Sequence, residues 1–112
     1  MPHPERLDPY GVLRGRVDHL DGNVELHLSG AIDLASADEL RARVLELGRL
    51  TQGDVILDLG GLEFLGSVGL RSLLALHAGL GATGRRLVLR NAQPAVARLL
   101  EMTEADTILT VE

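Results

Sequence analysis

Apolar residues along this chain follow two rhythms, and the changes from one to the other divide it into elements. Between Asn23 and Ser29, Val24, Leu26 and Leu28 alternate with Glu25, His27 and Ser29. That period of two predicts a strand with one buried and one wet face. A similar segment precedes it, about Gly11 to His19, and Asp21-Gly22 between the two is a hairpin signal. Farther on, Leu40, Val44 and Leu47 form a stripe at helical spacing, with Arg41, Arg43, Glu46 and Arg49 mostly on the other side. Ser36 with Glu39 reads as a capping box at the start of this helix, which ends near Leu50, before Gly53.

The stretch Asp54 to Leu76 is the centre of the pattern. Val55-Ile56-Leu57 reads as a short strand buried on both faces, punctuated by Gly60 and Gly61. After Leu62, Phe64 and Leu65 comes Gly66-Ser67-Val68-Gly69, and then Leu70, Leu73 and Leu74 on one helix face. The unit is strand, loop, Ser67, helix. A serine directly before a helical run is a natural N-cap. Free amides and the positive end of the helix dipole also converge there, so an anionic group on or beside this oxygen is stabilised. The pattern lapses at Gly79–Gly84. Leu87-Val88-Leu89 reads as another buried strand, Pro94 opens a helix with Val96, Leu99 and Leu100 inward, and Ile108, Leu109 and Val111 close the chain as a short strand. The order β-β-α-β-α-β-α-β predicts an α/β fold with a mixed central sheet and helices packed on it.

Composition narrows the function. The 112 residues suit one domain, read as a flexible lead-in over 1–9, where Pro2, Pro4 and Pro9 fall, and a single domain over 10–112. There is no cysteine, so no disulfide framework, thiolate metal site or cysteine nucleophile. A net charge of -5 argues against nucleic acid, and Tyr10 and Phe64 are too few aromatics for a base-stacking platform. All 11 basic residues are arginine, which excludes a Schiff-base lysine and a P-loop lysine. No apolar run approaches the ~20 residues of a membrane span. The first residues lack the pattern of a secretory signal, so a cytoplasmic location without a membrane partner is expected.

Several motifs fail on context. Gly79, Gly81 and Gly84 spell G-x-G-x-x-G, but they close a helix and precede a strand, the reverse of a dinucleotide site. Ser67 resembles a hydrolase elbow only in Gly69, since Leu65 stands where the first glycine belongs. His77 is ten positions along the helix from Ser67, too far for a base. His19 and His27 read as surface histidines without a partner at ligand spacing, Asp58 and Glu63 serve as acid and base only if a cleft exists, and no metal site or cofactor is expected. A non-catalytic binding protein, monomeric when free, is the expectation.

The arrangement resembles the STAS domain of bacterial anti-sigma-factor antagonists over nearly the whole chain. The pieces that carry it are Gly30-Ala31-Ile32-Asp33, VILDLGGLEFLGSVGL at Val55 to Leu70, Gly84 with Leu87 to Asn91, and the Pro94 helix. The resemblance implies a serine phosphorylated by a partner that is both anti-sigma factor and serine kinase; carried over, that residue is Ser67, with Gly69 two positions on. It also implies that the unphosphorylated antagonist captures the kinase and the phosphorylated one is released. The implied contact surface is Asp33, Glu63, Gly66, Ser67, Val68, Gly69 and Arg71, with Asp58 also expected near it. One position departs from the family: Gly66 stands where an aspartate usually precedes the serine. A switched antagonist, a constitutive one, and a STAS sensor or scaffold binding a nucleotide, lipid or transporter partner therefore all stay open.

Overall fold

A computed structural model describes residues 5–7 and 12–112. The elements are β1 (Glu5–Arg6), β2 (Leu13–Leu20), β3 (Asn23–Ile32), α1 (Leu34–Arg49), β4 (Val55–Leu65), α2 (Ser67–Gly81), β5 (Leu87–Arg90), α3 (Pro94–Met102), a 3-10 turn at Ala105–Thr107, and β6 (Thr110–Val111). The strands form one sheet in the order in which the chain visits them; β1, β2 and β3 pair antiparallel, and β3 through β6 run parallel. The mixed sheet with interleaved helices is the predicted fold class.

The hairpin turns at Asp21 and Gly22, both with positive φ (49° and 83°), the conformation that a two-residue turn between right-twisted strands requires. One core joins the Val24, Leu26 and Leu28 face of β3, Val55, Leu57, Leu59 and Leu62 of β4, and Leu87 and Leu89 of β5 to all three helices. Leu40, Val44 and Leu47 enter it from α1, Leu73, Leu76 and Leu80 from α2, and Val96 and Leu100 from α3. The helical stripes read from the sequence thus meet one face of the sheet, and burial of these leucines supplies roughly 1.5–3 kcal/mol each.

Three expectations change. Part of the lead-in is built into the sheet: Glu5–Arg6 pairs with Arg14 and Gly15, Glu5 bonds Arg43 of α1, and Leu7 is buried. The remainder of the lead-in, and the start of the first hairpin strand at Gly11, lie outside the described residues. Secondly, β4 does not stop at Leu57 but runs through Gly60 and Gly61 to Leu65. It spends two extra residues against β3, one between Asp58 and Gly61 and one between Leu62 and Phe64. A Cβ on Gly61 would lie 2.8 Å from the Leu28 carbonyl, so the glycine serves close approach inside a bulged strand, not a loop. Finally, the last strand is only Thr110–Val111; Leu109 is core, and Ile108 is exposed.

Candidate functional site

β3 and β4 end in register, Ile32 opposite Leu65, so the chain leaves both at the same edge of the sheet. Asp33 leads into α1 and Gly66 into α2. Asp33 is the N-cap of α1: the Ser36 amide donates to its Oδ1 (3.0 Å), and its own amide donates to Ser36 Oγ (2.9 Å). The reciprocal box is therefore Asp33 with Ser36, one turn before the expected Ser36 with Glu39. Both spacings satisfy the pattern, and the helix begins at the earlier acceptor.

Ser67 is likewise displaced from its expected role. Gly66 is the N-cap, extended at φ -91° and ψ -173°, and it has no side chain to accept a hydrogen bond. Ser67 is the first helical residue, and the first helical bond is the Leu70 amide to the Gly66 carbonyl (2.9 Å). The amides of Ser67, Val68 and Gly69 are thus the unpartnered donors of a helix start. No acidic residue lies in this first turn to offset the dipole. The Ser67 side chain is exposed and makes no hydrogen bond among the described residues.

The rest of the site explains its glycines. Gly69 is buried, and a Cβ there would lie 2.5 Å from Leu65 Cδ1 and 3.1 Å from Ile32, so a larger residue would have to push the Leu65 side chain aside for α2 to start this close to β3 and β4. A Cβ on Gly66 would lie 3.2 Å from the Phe64 ring, which occupies the space a longer residue would use. Phe64 is 52% exposed and Leu34, the first residue of α1, is 78% exposed. Leu34, Ala37, Val68 and Ala75 line a shallow groove between the starts of α1 and α2, with Arg41 and Arg71 on its rim.

The structure brings Asp33, Gly66, Ser67, Val68, Gly69 and Arg71 to one edge, with Glu63 exposed on the last part of β4. Asp58 does not belong there. It lies roughly 20 Å back along β4 at ~3.3 Å per residue, and it accepts from the Gly60 amide (2.8 Å) and Asn91 Nδ2 (2.9 Å). Leu34 and Phe64 are residues of this edge that the sequence does not mark as such, Phe64 reading only as part of an apolar run, although the two consecutive residues Glu63 and Phe64 between Leu62 and Leu65 signal that alternation breaks. His19 lies at the opposite end of the strands, near the hairpin turn, and His77 is well down α2. His27 is not the partnerless surface residue expected: it stands 3.0 Å from Asp18, 3.7 Å from Glu25 and 3.4 Å from Asp58. No histidine among the described residues therefore approaches Ser67 as a base.

What this edge offers chemically is recognition: an exposed hydroxyl, free amides and apolar side chains that protrude. The chain belongs to the STAS domain family, whose pattern matches residues 16–112. It is 31% identical over 87 residues to BtrV of Bordetella bronchiseptica, a protein named for an assigned role as anti-sigma factor antagonist, covering 78% of this chain and 75% of that one. A Mycobacterium tuberculosis protein named for an assigned role as anti-anti-sigma factor is 29% identical over 119 residues, 98% of this chain and 80% of its own. Among solved structures, an anti-sigma factor antagonist from Mycobacterium paratuberculosis superposes with a TM-score of 0.74 at 32% identity, over 88% of this chain and 84% of that one. No helix among the described residues is long and apolar enough to cross a membrane.

Proposed function

We propose that this chain is an anti-sigma-factor antagonist that binds an anti-sigma factor with serine kinase activity through the edge around Ser67, and that phosphorylation of Ser67 releases it. The observation that carries this reading is the Ser67 hydroxyl, exposed on the first residue of a helix with no hydrogen bond to break before it reacts. Leu34, Phe64 and Val68 around it supply apolar surface for a partner to cover.

The switch follows from charge. A phosphate brings ~1.5 to 2 negative charges and three acceptor oxygens. In the free protein the uncapped amides of α2 welcome it. In the complex it sits among apolar side chains with Asp33 and Glu63 close by, where desolvation and repulsion exceed the ~1.4 kcal/mol that changes affinity tenfold. The backbone need not move. Gly66 contributes no carboxylate beside the hydroxyl, so orientation of the serine for transfer falls to the kinase. Intact mass after incubation with the kinase and ATP tests the reading. One added phosphate, absent in Ser67→Ala, together with binding by Ser67→Asp weakened at least roughly tenfold, is the expected result. Unchanged capture of the partner by Ser67→Asp overturns the switch.

A further inference from the structure

The face of the sheet opposite the helices carries a polar cluster that the Ser67 edge does not use. Strand register aligns Arg16, His27, Asp58 and Arg90 across β2 to β5, with Asp18 and Glu25 in the adjoining row. One nitrogen of His27, one oxygen of Glu25 and one of Asp58 lie within 4.8 Å of one another. Glu25 is the unusual member: its side chain is 7% exposed, and it makes no hydrogen bond among the described residues. Its guanidinium neighbour, Arg90, stays 3.8 Å away because it donates to Glu112 (3.0 and 3.3 Å), a bond that holds the guanidinium above its ordinary pKa range. Arg16 reaches Asp18 only at 3.7 Å, and its Nε is buried without a partner.

The charges do not balance. Four carboxylates, those of Asp18, Glu25, Asp58 and Glu112, face only two guanidiniums, those of Arg16 and Arg90. A buried carboxylate without a hydrogen bond is costly unless its charge is met. The surroundings already hold one of the ligands in place: Asp58 is fixed by the Gly60 amide and the Asn91 side chain. Such outer partners orient metal-binding side chains. We propose that Glu25, His27 and Asp58 form a divalent-cation site that ties β3 to β4, independent of the Ser67 edge. One imidazole with carboxylates, and no thiolate, suits Zn2+ or Mn2+.

Calorimetric titration of the metal-stripped full chain with Zn2+, with Mg2+ in parallel, tests this, alongside thermal melts. The wild-type protein is expected to bind one Zn2+ with micromolar or tighter affinity and to melt at higher temperature with zinc. His27→Gln and Glu25→Gln, checked for native circular dichroism, are expected to lose roughly tenfold or more in affinity, while Ser67→Ala keeps it. Should one variant fail to fold, the other decides. Absence of binding by the wild-type protein overturns the proposal. Equal binding by wild type and both folded variants overturns it too, by placing the metal elsewhere.

Discussion

Two helices begin side by side at one edge of the sheet, and only one of them is capped by a side chain. At the start of α1, Asp33 and Ser36 satisfy each other's backbone amides, and Ser36 is fully buried. At the start of α2, one strand over, Gly66 offers nothing and the first turn is bare. The two starts rest on register-paired residues, Ile32 and Leu65, so the contrast does not come from depth in the fold. It teaches that a helix start can be closed for stability or left open for a ligand, and that neighbouring positions divide those tasks.

The contrast can be broken most forcefully at Gly69, where the bare helix is seated. Gly69→Ala forces a methyl group against Leu65 and Ile32 and is expected to cost about 2–3 kcal/mol in urea unfolding. Next comes the closed start: Asp33→Ala should destabilise by about 1 kcal/mol, while Asp33→Asn, which still accepts, should recover most of it. Supplying the missing acceptor sharpens the comparison from the other side. Gly66→Asp should gain about 0.5 kcal/mol from the cap and the dipole, limited by the Phe64 ring, so that Phe64→Ala in the same chain raises the gain. The smallest effect belongs to Ser67→Ala, within about 0.5 kcal/mol of wild type by the same assay. A loss of ~1 kcal/mol or more there would mean that Ser67 caps the helix after all.

Most of the architecture was legible because its signals are local. The period of two in Val24-Leu26-Leu28, the stripe Leu40-Val44-Leu47 and the Asp21-Gly22 turn each report on a few consecutive residues, and each stands where expected. Ser67 at the passage from strand to helix was legible for the same reason. The misreadings are places where two answers fit locally and distant contacts choose. Asp33 with Ser36 and Ser36 with Glu39 are both cap patterns; Gly60-Gly61 suits a loop as well as a bulge; Glu5–Leu7 is too short to announce a strand without β2 beside it. The polar face was hidden more deeply. Alternation places Glu25 and His27 outward, but only the register between β3 and β4 brings Asp58 to them.

The two supernumerary residues of β4 are each absorbed where they occur, because pairing with β3 resumes in step after both. Val55, Leu57 and Leu59 point inward at odd positions, the first insertion moves the inward set to Leu62, and the second returns it to Leu65. Loss of either extra residue would heal one bulge and leave Leu65 facing the core opposite Ile32, with the Ser67 segment on the same side. Loss of both would leave a regular strand that still ends opposite Ile32. Length changes of one residue at these two places should therefore be survivable, altering local twist and not which side chains face inward.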